Sequence, residues 1–160
     1  MNIFILDEMP SRAAQYHADI HLAKMVLEGA QMIATSLHWY GHPVEYKPTH
    51  LNHPCTKWVR ESGANIAWLY SLIEALDVER KLRLGKSREH KSLPLVRKWL
   101  DSNVINHIPD KGLTPFAQAM PEHFRSDDAV ASYRAYYASK AAAMPLHYTN
   151  VDTPEWLTKK

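Results

Sequence analysis

A chain of 160 residues that is 46% hydrophobic is long enough for one well-buried domain and short for two. Nineteen Lys and Arg against seventeen Asp and Glu give a formal charge of only +2, so the whole-chain footprint of a strongly basic nucleic-acid binder is absent and any such contact must come from a local patch. The single cysteine, Cys55, excludes an intramolecular disulfide and a cysteine-based zinc knuckle.

Residues 2–6 read as a short strand or an extended lead-in. The apolar run that starts at Ile3 stops at Asp7 and Glu8, far short of a signal-peptide core, and nothing later approaches a membrane span, so a soluble cytoplasmic protein is expected. Pro10 and Ser11 open a long helix that ends between His38 and Gly41. Residues 42–52 carry Pro43 and Pro48, lack helical periodicity and form a loop that delivers His50 and His53 to a second long helix. Pro54 suits that helix's first turn, His53 its cap, and the apolar spacing of Trp58, Trp68, Leu69, Leu72, Ile73 and Leu76 carries it to Gly85. Leu93 to Leu100 supports a shorter helix. Pro109, Gly112, Pro115 and Pro121 make residues 102–121 extended and irregular. A last helix starts at Ser126 as N-cap, with Asp127 and Asp128 at its positive end, and runs to about Ala143; residues 144–160 pack irregularly. The expectation is a single all-α domain over residues 1–160, two long helices with shorter ones and a Pro-rich covering segment.

One feature of the first helix points to chemistry. His17, His21, Lys24, Glu28, Gln31 and Thr35 follow the 4-3-4-3-4 spacing that stacks side chains on one helical face. Ile20, Ala23, Leu27, Ala30 and Ala34 flank the stripe on one side, and Leu22, Met25, Val26, Met32 and Ile33 cover other faces. The stripe therefore looks into a cleft of a mostly buried helix.

Three chemistries fit it. His17 and His21 at i, i+4 could share a divalent metal with His50 and His53, although Lys24 beside a dication is unfavourable. Without metal, a neutral Lys24 could attack a sugar carbon as a Schiff-base nucleophile, with His17, His21 and Glu28 moving protons. A charged Lys24 would instead clamp a phosphate and leave the histidines as acid and base. The stripe could also be the solvated face of an amphipathic helix, with its histidines structural. A second constellation, Tyr46, Lys47, Thr49, His50, Asn52, His53, Lys57, Trp58, Arg60, Glu61 and Asn65, offers cations, donors and an aromatic ring suited to phosphates and a base. Tyr133, Arg134, Tyr136, Tyr137 and Lys140 form an aromatic and basic face on the last helix.

The opening Asn2-Ile3-Phe4-Ile5-Leu6-Asp7, the run Ala14-Gln15-Tyr16-His17 with His21 and Lys24, the stretch from Lys47-Pro48-Thr49-His50 to Pro54, and Leu113-Thr114-Pro115-Phe116-Ala117-Gln118-Ala119-Met120-Pro121 resemble a family of small phage-encoded proteins over nearly the whole chain. More distantly, the order of an amino-terminal helix with a histidine and charged partners, a His-containing loop, a long helix and a late Tyr-Arg-Ala-Tyr-Tyr element is similar to phage pyrimidine-dimer DNA glycosylases. That resemblance implies an all-helical enzyme that excises a damaged base and cleaves the abasic site, using the α-amino group of a threonine exposed by methionine removal and a helical glutamate. The glutamate corresponds to Glu28. Residue 2 here is Asn2, whose bulk opposes methionine removal, and Lys24 is then expected in the nucleophile's place.

The expected activity is thus a glycosylase and abasic-site lyase acting on DNA or a nucleotide in the cytoplasm of an infected host cell. His17, His21, Lys24 and Glu28 would be catalytic; His50, Asn52, His53, Arg60, Asn65, Tyr133, Arg134 and Tyr137 would bind substrate. No cofactor is required, with a divalent metal as the variant. The alternatives are a His/Lys-dependent or metal-dependent phosphodiesterase, and a non-enzymatic phage protein that binds a host factor or a nucleotide.

Overall fold

Helix α2 (Asp19–Trp39) packs on α4 (Gly63–Leu84) in the most extensive pairing of the fold. Gly29 makes their close approach possible: a Cβ there would lie 2.4 Å from Ile73 Cγ2 and 3.3 Å from Leu69 Cδ1. The structure is a computed structural model that describes residues 1–159, so residue 160 of the expected irregular tail lies outside the described residues. It is all-helical. Besides α2 and α4 it contains α1 (Pro10–Tyr16), α3 (Pro54–Glu61), α5 (Ser92–Trp99), α6 (Ser102–Ile105), α7 (Ala129–Ala143) and α8 (Glu155–Thr158), with a 3-10 turn at Glu122–Phe124. No helix among the described residues is long and apolar enough to cross a membrane.

Both long helices expected from the sequence are broken once. His17 and Ala18 are extended between α1 and α2. The carbonyls freed there are taken by the buried Arg83, which donates to His17 O at 2.7 Å, Gln15 O at 2.7 Å and Ala14 O at 3.4 Å. Ser62 is extended between α3 and α4; its hydroxyl accepts from Ala64 N–H at 3.3 Å and Lys111 N–H at 2.9 Å. Two end signals hold. The His53 ring accepts from Cys55 N–H at 3.1 Å to cap α3, and Gly85 ends α4 in the left-handed region at φ 61°. The cap of α7 is Asp128, which accepts from Ala131 N–H at 3.0 Å, two residues beyond the expected Ser126.

Residues 2–6 form no strand; they thread the core. Ile3, Phe4, Ile5 and Leu6 are all buried. The Phe4 ring sits 5.2 Å from His21 of α2 and 5.0 Å from Tyr137 of α7, so the amino-terminal segment is the filler between those helices. Chain ends usually fray unless packing holds them. Here the packing brings residue 1 to the middle of α2.

Candidate active site

The site is built where that segment emerges beside Glu28. Asn2 N–H donates to Glu28 Oε2 at 3.1 Å, and the α-ammonium of Met1 stands 3.8 Å from the same oxygen. The Met1 side chain is only 3% exposed while the residue as a whole is half-buried, so what it shows to solvent is main chain. Asn2 is clamped from three directions. Its Nδ2 donates to Ala119 O at 2.9 Å, and its Oδ1 accepts from Ile3 N–H at 2.8 Å and from the Cys55 thiol at 3.5 Å. Burial pushes that thiol up to about 11, so it acts as a weak donor and not as a thiolate nucleophile.

His53 completes this end of the cleft. Its pKa is lowered, first by burial and then by the Met1 α-ammonium and His50, while Glu28 opposes the shift. A neutral imidazole that already accepts the Cys55 N–H keeps its ring fixed beside the amine. A groove of about 550 Å³ adjoins the site along α2, lined by Leu27, Gln31, Glu45, Tyr46, Lys47, Pro48 and Thr49. Gln31 lies one turn beyond Glu28, so the groove and the carboxylate share a helix face. Its size suits a nucleoside.

The remaining stripe residues divide sharply. His17 has no solvent exposure; its Nδ1–H donates to Ala13 O at 2.7 Å, and burial lowers its pKa to about 3. His21 is 3% exposed, lies 2.6 Å from the Tyr137 hydroxyl through Nδ1, and is lowered to about 4 by burial and then by Lys24 and Lys140. Both imidazoles belong to the aromatic core, and neither is placed to move a proton in the cleft. Lys24 is exposed and makes no ion pair with Glu28 or any other described residue within 4 Å. Thr35 is buried, with its hydroxyl donating to Gln31 O at 2.8 Å and accepting from Thr49 N–H at 3.0 Å.

Of the binding candidates, His50, Asn52 and His53 lie in the turn that faces the site, with Arg60 behind it donating to Leu51 O at 2.5 Å. Asn65 is fully buried elsewhere, donating to Trp58 O at 2.7 Å and Thr114 Oγ1 at 2.8 Å to join the Pro-rich segment to the helices. Tyr133 and Tyr137 are buried, with their hydroxyl pKa values raised by desolvation, and cannot stack a base. Arg134 is committed to Leu6 O at 2.9 Å and Asp7 at 3.3 Å. The four-histidine metal shell is not assembled, because His17 and His21 face Phe4 and Tyr137 while His50 and His53 stand in the turn before α3. Among the described residues no three His, Cys, Asp or Glu side chains converge as a metal requires.

The Met1 amine is the group that the sequence reading set aside for Lys24, because the bulk of Asn2 opposes the methionine removal that the resemblance requires. The signal available was the apolar run at Ile3, Phe4, Ile5 and Leu6, which has to be buried and so draws the chain end inward. No protein-family model, curated protein or solved structure matches this chain. The geometry at Met1 and Glu28 therefore carries the functional assignment by itself.

Proposed function

We propose that the protein is a nucleic-acid-processing enzyme of the glycosylase and abasic-site lyase type, with the α-amino group of Met1 as nucleophile and Glu28 as the proton-transfer group. The observation that carries this reading is the 3.8 Å approach of the terminal amine to a half-buried carboxylate, held by a clamped Asn2. Primary amines attack sugar C1′ only as free bases.

The reaction follows from these two groups. The amine adds to C1′ of an opened abasic sugar, and Glu28 accepts the proton released by nitrogen. The carbonyl oxygen takes one proton from solvent to become a hydroxyl, and Glu28 then protonates that hydroxyl, which leaves as water and gives a protonated imine. On an intact nucleotide the same attack would expel the base, which leaves protonated. The imine acidifies C2′, whose loss of a proton breaks the C3′–O bond and releases phosphate; water then cleaves the imine and restores the amine. Lys47, which is exposed, would meet a phosphate flanking the sugar.

Borohydride trapping on an oligonucleotide with one abasic site tests the assignment, because only an imine is reduced to a stable adduct. The adduct is expected on the tryptic peptide of residues 1–12, whose amine intact-mass measurement should show to be unblocked Met1. Lys24→Ala should still form the adduct on Met1, slowed only as weaker phosphate binding requires, and Glu28→Gln should trap roughly 100-fold more slowly. An adduct on Lys24, or none with wild type, removes the Met1 mechanism.

A further inference from the structure

We infer that the substrate is a nucleic-acid duplex and that Leu51 is the wedge that enters its base stack while the reacting sugar sits at Met1 and Glu28. This rests on the lyase reading of that site. The turn of residues 49–53 spans the cleft between α2 and the start of α3. One end is tied to α2, where Thr35 Oγ1 accepts from Thr49 N–H at 3.0 Å and stands 3.1 Å from Thr49 O. The other runs into Cys55, whose thiol meets Asn2 Oδ1 at 3.5 Å, next to the terminal amine.

The turn is held with unusual thoroughness. His53 N–H donates to His50 O at 3.0 Å, and His50 is in the left-handed region at φ 49°, a conformation uncommon for a residue with a Cβ. The Thr49 hydroxyl and His50 Nδ1 are 2.8 Å apart. Arg60 donates to Leu51 O at 2.5 Å, its guanidinium lies 4.1 Å above the Trp39 ring, and its own carbonyl accepts from the Tyr40 hydroxyl at 2.5 Å. The turn is anchored at Thr49, at His50, at His53 and through the Leu51 carbonyl, yet Leu51 is 39% exposed. The fold presents an aliphatic side chain to solvent on a hydrogen-bonded turn whose far end reaches Asn2 through Cys55.

That arrangement matches the way proteins open a duplex, by pushing an aliphatic wedge between base steps to fill the gap left by an extruded nucleotide. A single strand leaves no such gap, and single-strand binders present aromatic platforms instead. This turn contains no Phe, Tyr or Trp. Next to Leu51 the exposed Asn52 amide makes no hydrogen bond to the described residues, so it is available to the base left without a partner. Lys24, Lys47 and Lys57 around the cleft are exposed and unpaired among the described residues, a set that backbone phosphates would neutralise.

The test compares borohydride trapping rates on one abasic oligonucleotide, single-stranded and in duplex, with 2-aminopurine opposite the lesion to report unstacking. Wild type is expected to trap both. Leu51→Ala, at an exposed position, is expected to keep the single-strand rate within about twofold, lose at least about tenfold on duplex and abolish the fluorescence rise, with Leu51→Met restoring both. Equal duplex rates for Leu51→Ala and wild type, or equal losses on both substrates, overturn the wedge and leave the lyase intact. Wild-type trapping on single strand alone overturns the duplex assignment. No trapping on either substrate means the lyase reading itself has failed.

Discussion

His17 shows how a residue of catalytic type can be wholly structural. Its Nδ1–H is spent on Ala13 O, which forces the neutral tautomer with Nε2 as a bare acceptor, and that nitrogen is buried with no partner. Burial, Arg83 and His21 all oppose a proton there, and the pKa falls to about 3. In the unfolded chain an ordinary histidine takes up its proton near pH 6.5. The unfolded state therefore binds more protons between those values, so the contribution to stability is complete above pH 6.5 and is lost progressively as pH falls toward 3. At pH 5 the loss from this one residue is about 2 kcal/mol, and His21, also lowered, acts in the same direction. Urea denaturation at pH 7.5 and pH 5.0 should show that drop, and His17→Phe should flatten it. A midpoint indifferent to pH would mean that the imidazole escapes burial.

Gly29 decides how closely α2 can approach α4, and with it where Glu28, its neighbour in sequence, is carried. Gly29→Ala pushes a methyl into Ile73 Cγ2 at 2.4 Å. Because that contact is between two helices packed in the core, the expected cost is about 1–3 kcal/mol, against the few tenths to 1 kcal/mol that alanine would gain over glycine in an open helix. Thermal unfolding of the variant should therefore move down; an upward shift would show that α4 gives way. The helices themselves were legible from period and caps: Pro54 after His53, Gly85 after Leu84, and the apolar faces of α2 and α4. The breaks at His17 and Ser62 were not. Ala13, Ala14 and Ala18 favour continued helix, and what stops it is Arg83, more than sixty residues on, supplying the donors that the interrupted turn lacks. At Ser62 the interruption is fixed by Pro109 O, which accepts from Gly63 N–H at 2.9 Å, and by Asp110 at the Ser62 hydroxyl. Local pattern carries no trace of partners so distant.

At the scale of the molecule, the site exists because three remote parts of the chain grip residue 2. The Tyr133 hydroxyl, at the centre of that grip, donates to Ala117 O at 2.6 Å, accepts from Ala119 N–H at 3.2 Å and stands 3.3 Å from Asn2 Oδ1. Ala119 O in turn accepts from Asn2 Nδ2. Glu28 was visible in the sequence as part of a polar stripe, whereas its partner is assembled by contacts across 117 to 131 positions, which no spacing rule can reach. Tyr133→Phe separates holding the fold from aiming the amine. The ring and its packing against Phe4 remain, and losing the hydroxyl should lower stability by about 1–3 kcal/mol. If Asn2 relaxes by even about 1 Å, attack geometry degrades far more than stability, and trapping should slow by about tenfold or more at a temperature where the variant is fully folded. Circular dichroism and the trapping rate, measured on the same sample, read the two effects independently. A slow, folded Tyr133→Phe places the tyrosine as a positioning residue for Met1; an unchanged rate would mean that Phe4, Cys55 and Glu28 suffice to hold the amine in place.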